Sequence, residues 1–351
     1  MKKYRIFSKC LSCLCAAAFL LMCTVSCSRK ARYVSDTFFA MDTVIEVKLA
    51  ADTPDSSAIF GKCRNITAGY EKMLSAEDGD SDIARFNMSE SGCKVSLATG
   101  ELFLLAQELY RLTDGRFDPT TYPSTLLWRS AGQLGELPES NEIEVAAQKR
   151  GMELISYDPS DGMLRKLESW VMLDFGGIGK GYAESELIEY LKTTDAEYGV
   201  LSFGGNISVF GTRPGGSFSI ALRDPAGASA AATIELTSGF VSVSGWYERY
   251  YEIAGERYCH IIDPASGVPV SGNLLSSAVI SENGAAADAL STSLFVGGNT
   301  ASAWELYSSQ KGGAFEFEAI LIFEDEIYIT PGLRGRFEAS SGRTLKILDD
   351  Q

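Results

Sequence analysis

"SWVMLDFGGIGKGYAESELIEYLKTT", residues 169–194, holds the densest run of glycines in the chain. Its apolar lead, "SWVMLDFGG", predicts a buried strand that runs into a glycine loop. "YAESELIEYLKTT" (182–194) then reads as a helix. A strand, loop and helix in that order bring backbone N–H groups to a helix start, where an anion is favoured. The stretch matches neither common nucleotide fingerprint: GxGxxG is absent, and GxxxxGK[ST] fails because Gly181 follows Lys180. Two readings stand side by side. Either the loop holds a phosphate, with Lys180 pairing it or a ligand carbonyl, or it is a close-packed turn whose glycines supply positive φ.

Working outward toward the N-terminus, "TVIEVKLA" (43–50) alternates as a strand. Asp55 or Ser56 starts a helix with Ile59, Phe60, Cys63, Ile66 and Tyr70 on one face. Residues 101–115 form a second helix that stops at Gly115, and 141–151 a third, with Asn141 and Glu144 in capping-box register. Toward the C-terminus come short β-like runs: "YGVLSF", "FSIALR", "ATIEL", "FVSVSG", "RYYEIA", "YCHIID" and "SSAVIS". A helix at 284–297, another near 300–310 and two closing strands, "FEAILIF" and "EIYITPG", complete the pattern. No repeat recurs. Mixed ordering with a β-rich second half predicts an α+β fold, a single domain of two intertwined α/β lobes with mixed and antiparallel sheets.

The 351 residues and 45% hydrophobic content suit one large domain with a sizeable core. Four of the 31 basic residues (Lys2, Lys3, Arg5, Lys9) stand in the first 27 positions, which hold no acid. The remainder therefore sets 27 basic residues against 46 acidic ones. Such a surface excludes nucleic acid as a partner, and any bound phosphate needs local help, as from a metal cation. Residues 1–27 read as a signal peptide: a basic start, the apolar run "CLSCLCAAAFLLMCTV", then small residues before Cys27. They resemble a lipoprotein-processing site with Thr24 in place of the usual Leu. The expectation is an exported lipoprotein anchored to a membrane through Cys27, facing the periplasm or extracytoplasmic side; an ordinary cleaved signal peptide is the alternative, and either way the protein is exported. Residues 28–36 then form a tether, 37–335 the domain and 336–351 a tail. Cys63, Cys93 and Cys259 are what remain of the eight cysteines beyond residue 27. Without CxxC spacing they predict neither a zinc site nor a disulfide framework.

Three further stretches carry chemistry. In "AADALSTSLF" (286–295), Asp288 and Thr292 share one helix face: either they offer hard oxygen ligands, which suit Mg²⁺ rather than zinc, or the stretch is an ordinary capped helix with one acid. In "HIIDPASG" (260–267) stands His260, the one histidine of the chain, either a structural residue or a candidate general base. "DGRFDPTTYP" (114–123) and "SFGGNIS" (202–208) are turn-rich loops that let a ligand approach the backbone.

Taken in order, "FFAMDTVIEV", "SDIARFN", "GRFDPT", "DFGGIGKGYA", "SFGGNI", "SGWYERYYE…HIIDPASG" and "ADALSTSLF" resemble the ApbE family, the FAD:protein FMN transferases. The resemblance spans residues 37–330 and implies a Mg²⁺-dependent enzyme. It would split FAD, release AMP and attach FMN by a phosphoester bond to a threonine or serine of an acceptor flavoprotein, as in a membrane redox complex. It also implies roles. Asp174 and Lys180 match flavin-nucleotide contacts, as do Met41, Phe117, Asp118, His260 and Ile262. Asp288 and Thr292 match side-chain metal ligands, and Gly177 a carbonyl ligand. Glu77 falls at a stacking position that is aromatic in many relatives. Gly177 and Gly179 replace commoner alanines, and Ser266 a threonine. Two other outcomes fit the same residues: a FAD pyrophosphatase with water as acceptor, and a lipoprotein that binds FAD without turnover.

Overall fold

The computed structural model describes residues 31–340 and 342–349. The expected leader, Cys27 and the start of the tether lie outside the described residues. In chain order the first half comprises β1 (Tyr33–Ala40), β2 (Thr43–Ala50), α1 (Ser56–Leu74), α2 (Asp82–Met88), β3 (Gly92–Lys94), α3 (Leu97–Leu112), α4 (Tyr122–Leu134), α5 (Ser140–Gln148), β4 (Ile155–Asp158) and β5 (Met163–Lys166). Then come α6 (Gly179–Lys192), β6 (Tyr198–Phe203), β7 (Asn206–Gly211), β8 (Phe218–Arg223), β9 (Ala230–Leu236), β10 (Gly239–Gly245), β11 (Tyr250–Ile253), β12 (Glu256–Cys259) and β13 (Ser276–Ser281). The chain closes with α7 (Gly284–Gly297), α8 (Thr300–Gln310), β14 (Phe317–Ile322), β15 (Glu326–Ile329), β16 (Phe337–Ala339) and β17 (Thr344–Ile347).

A nine-stranded sheet, ordered β1-β2-β6-β7-β10-β13-β14-β15-β17, organises the molecule. Its pairs are antiparallel except β15 with β17. Alternate residues of each strand enter different cores, because side chains switch faces with period two. Leu201, Phe203, Val279, Ala319 and Leu321 pack into the helix-side core with α1, α3, α6 and α7. Their neighbours Tyr198, Ala278, Ile280, Ile320 and Ile322 enter a second core, closed by the small sheet β16-β9-β8. Both faces of the central strands are thus covered, and β13 is buried at every position. The fold is α+β with mixed and antiparallel sheets, as the sequence pattern predicts.

The structure revises several local expectations. Residues 171–175 are extended and buried at Val171, Leu173 and Phe175, yet they join no sheet. The Asn87 side chain replaces a partner strand: its Nδ2 donates to the Leu173 carbonyl at 2.8 Å and its Oδ1 accepts the Leu173 N–H at 2.7 Å. The glycine loop contains no positive φ at 176, 177, 179 or 181, so conformational freedom is not its reason for glycine. Helix α5 is boxed by Glu139 and Glu142 rather than Asn141 and Glu144: the Glu139 N–H donates to Glu142 Oε2 at 2.9 Å. "SFGGNIS" is a hairpin turn between β6 and β7, and helices α2 and α4 arise where the sequence pattern named none. Ordered structure also runs past both expected domain limits. β1 begins at Tyr33, inside the expected tether, and β16 and β17 pair within the expected tail.

Candidate active site

Helices α6 and α7 cross at two glycines. A Cβ on Gly181 would stand 2.1 Å from the Gly284 carbonyl oxygen, and one on Gly284 2.6 Å from that of Gly181. The close approach is what glycine permits here. Helix α7 is buried around most of its circumference, and Asn283 caps it by accepting the Ala286 N–H at 3.0 Å. The crossing brings Asp288, 4% exposed, against the first turn of α6. Its Oδ2 accepts the Gly181 N–H at 3.0 Å and lies 3.8 Å from Lys180 Nζ. A carboxylate in that place satisfies a free helix-start N–H and sits favourably in the helix dipole.

One turn along α7, Thr292 Oγ1 donates to the Asp288 carbonyl at 3.2 Å and lies 3.4 Å from Ser244 Oγ. Serine hydroxyls link the two side chains from behind. Ser242 Oγ is 3.1 Å from Asp288 Oδ1 and 3.3 Å from Ser291 Oγ, and Ser291 Oγ is 2.8 Å from Ser244 Oγ. Asn206 Oδ1, 2.7 Å from Ser242 Oγ, closes the network. On the open side a Cβ at Gly177 would lie 3.6 Å from Thr292 Oγ1, so the loop backbone passes directly beside the hydroxyl. Asp288 and Thr292, with the Gly177 backbone beside the Thr292 hydroxyl, thus share one wall. Among the described residues no group of three His, Cys, Asp or Glu side chains has metal-binding spacing. A donor set with one carboxylate fits a cation that keeps water and phosphate in its shell, as Mg²⁺ does, and does not fit zinc.

This cluster forms one wall of a cavity of ≈ 790 Å³, of a size that takes a cofactor. Phe117, Asp174 and Lys180 line it alongside, and His260 and Ile262 face it from the β12 side. Asp118 also borders it, but its carboxylate works locally. Oδ1 accepts the Thr120 N–H at 2.8 Å and hydroxyl at 2.6 Å, Arg150 lies 3.9 Å from Oδ2, and burial raises the carboxyl above its ordinary value. Asp174 Oδ1 accepts the Gly176 N–H at 2.9 Å, and desolvation likewise raises its carboxyl. Two expected contacts stand outside the lining. Met41 is half-buried against the core with its N–H donated to Glu71 Oε1 at 2.7 Å. Glu77 is exposed and pairs with Arg129, which does line the cavity.

His260 follows the end of β12, and its Nδ1 lies 2.9 Å from the Arg249 carbonyl oxygen. A carbonyl only accepts, so Nδ1 carries the proton and Nε2 is left with its lone pair. Desolvation lowers the imidazole to about 4, with Lys180 and Arg249 adding to the effect, so the ring is neutral at pH 7. Sequence reasoning missed Arg129, Glu248 and the serine network. Glu248, in the cavity wall, is raised to about 7 by desolvation, with Lys180 opposing the rise. The clue to it is the acidic residue inside the aromatic run "WYERYY", which a strand pattern alone does not explain. The serines carry no such clue, because "FVSVSG" and "LSTS" read as ordinary strand and helix.

A buried carboxylate at a helix start, beside a lysine, thus stands in the wall of a cavity large enough for a cofactor. The sequence profile of the ApbE family matches residues 41–315, and the chain belongs to that family. The FAD:protein FMN transferase of Salmonella typhimurium is 29% identical over 80% of this chain and 84% of its own length. That of Treponema pallidum is 24% identical over 94% of both chains. Among solved structures, the ApbE protein of Thermotoga maritima superposes with a TM-score of 0.75 at 28% identity, covering 88% of this chain and 97% of its own. The flavinyl transferase ApbE of Pseudomonas stutzeri, in its apo form, gives 0.74 at 28% identity, covering 88% and 98%.

Proposed function

We propose that the protein is an FAD:protein FMN transferase. The observation that carries the reading is the meeting of Asp288, Thr292, Gly177 and Lys180 on one wall of the cavity, in a family whose named relatives carry that activity. In the reaction, a threonine or serine oxygen of an acceptor flavoprotein attacks the FMN-side phosphorus of FAD. The new bond is oxygen to phosphorus; the bond that breaks joins that phosphorus to the oxygen that leaves with AMP. Lys180 supplies positive charge beside the pyrophosphate in an otherwise acidic protein. His260, neutral with a free Nε2, accepts the hydroxyl proton there. Asp174 fixes the loop by holding the Gly176 N–H, and Arg129 carries a second positive charge into the cavity. Asp288, Thr292 and the Gly177 carbonyl would hold Mg²⁺, which supplies charge neutralisation and polarisation at the pyrophosphate when bound.

We further propose export as a lipoprotein anchored through Cys27, which places the enzyme beside an extracytoplasmic acceptor. The decisive experiment incubates the protein with FAD, Mg²⁺ and an acceptor flavoprotein bearing a flavinylation threonine. Covalent flavin fluorescence on a denaturing gel is the expected result. Free FMN and AMP alone would make it a pyrophosphatase, and unchanged FAD a binding protein.

A further inference from the structure

Lys166, at the end of β5, is 5% exposed, a burial that lysine seldom shows without a charged partner. Among the described residues it pairs with no carboxylate. Its Nζ donates instead to three backbone carbonyls: Ser169 at 3.0 Å, Val171 at 3.0 Å and Asn87 at 3.3 Å. The centre of the Phe86 ring lies 5.0 Å away. An ammonium has three N–H donors, and each has an acceptor here. Full use of the donors offsets the loss of water around the charge.

These bonds converge on the segment that leads into the site. Residues 171–175 join no sheet, so the backbone groups that a partner strand would take need other partners. Lys166 takes the carbonyls of Ser169 and Val171. It also holds the carbonyl of Asn87, whose side chain in turn holds both backbone groups of Leu173, at 2.8 and 2.7 Å. The Asp174 N–H then donates to the Pro119 carbonyl at 2.9 Å. Next along the chain, Asp174 Oδ1 accepts the Gly176 N–H, and the Gly177 backbone passes beside Thr292. One buried ammonium thus stands at the root of a series of contacts that ends in the cavity wall. Lys166 itself does not line the cavity.

We propose that Lys166 is a positioning residue. Through Asn87 and the backbone of residues 169–173 it sets where Asp174 and Gly177 stand relative to Asp288 and Thr292. The inference rests on the transferase reading only in taking FAD as the ligand. Lys166→Met keeps the apolar stem, removes the ammonium and leaves three carbonyls without their donor. The full-length variant and wild type are compared by amide hydrogen exchange without ligand. FAD binding in the presence of Mg²⁺ is followed by flavin fluorescence, at a temperature where circular dichroism shows both proteins folded. We expect exchange at Leu173, Asp174 and Gly176 to quicken by roughly tenfold while β13 exchanges as in wild type. The Kd for FAD should rise by roughly tenfold as well. A contribution to general stability alone would instead quicken exchange across the whole sheet and lower the melting temperature, with the Kd unchanged; that result overturns the proposal. Unchanged exchange at residues 173–176 overturns it too. Should Lys166→Met fail to fold, Lys166→Gln keeps part of the donor set, and the same pattern is expected at smaller size. Wild-type protein that binds no FAD removes the flavin reading, and the exchange pattern then decides for or against Lys166 by itself.

Discussion

At the scale of single residues, Asp288 has two jobs that substitution can separate. Its carboxylate accepts the Gly181 N–H and faces the oxygen cluster with its charge. Asp288→Ala removes both, and leaving the buried N–H unpaired costs about 1–3 kcal/mol of stability. Asp288→Asn keeps an acceptor oxygen and loses only the charge. Both variants are expected to lose Mg²⁺-dependent turnover, while Asn stays closer to the wild-type melting temperature. Normal turnover by Asp288→Ala would remove the metal assignment. His260 makes a separate prediction through pH. Its folded value of about 4, below the ordinary 6.5, keeps it neutral across the working range. Glu248, raised to about 7, is a cavity group that titrates near neutrality. In Glu248→Gln, kcat/KM should therefore show no inflection near pH 6.5, its acid limb appearing only below about pH 5. A midpoint at 6.5 in that variant would contradict a neutral, desolvated His260.

At the scale of elements, the glycines of residues 176–181 divide by what surrounds them. Gly181 meets backbone: its Cβ would press on the Gly284 carbonyl oxygen at 2.1 Å, and neither helix can yield alone. Gly177 meets only a ring edge and a hydroxyl at 3.5 and 3.6 Å, ordinary contact distances. Gly181→Ala is thus expected to lower stability by about 1–3 kcal/mol and to displace Asp288. Gly177→Ala should keep near wild-type melting temperature and turnover. Calorimetry and turnover on the pair check this, and equal effects would refute the assignment. The same stretch shows what sequence makes legible. The helix of 182–194 and the pairing of Asp288 with Thr292 follow from period 3.6, a local property. That Gly181 serves a helix crossing depends on residue 284, and that Leu173 pairs with the Asn87 side chain depends on residue 87. No periodicity reports such partners. Strands β6, β8 and β13 were legible because apolar runs between turns are strongly marked. β1 was not, since Ser35, Asp36 and Thr37 lower its apparent hydrophobicity at the edge of the sheet.

At the scale of the whole molecule, one large sheet, its central strands covered on both faces, explains how Asp288 is held in the interior. Its central strands carry serines and asparagine into the interior just where α6 and α7 cross, so the cluster is held from behind by hydroxyls rather than by charge. Glu184, 1% exposed on α6 near Asp288, is the exception. Burial raises its carboxyl to about 8 from 4.5, and Asp288 adds to the rise, so it is protonated in the folded protein at pH 7. The sign of the stability effect follows. Below pH 4.5 both folded and unfolded chains bind the proton. From 4.5 to about 8 only the folded chain keeps it, so raising the pH favours unfolding, by up to about 1.4 kcal/mol per pH unit. Glu184→Gln has the shape of the protonated form and cannot ionise. It should match the wild type in melting temperature near pH 4.5 and exceed it progressively toward pH 8, with turnover at pH 7 retained. Melting curves across that range decide the point: two parallel pH profiles would mean that Glu184 is ionised inside the fold and that the network behind Asp288 includes a second buried charge.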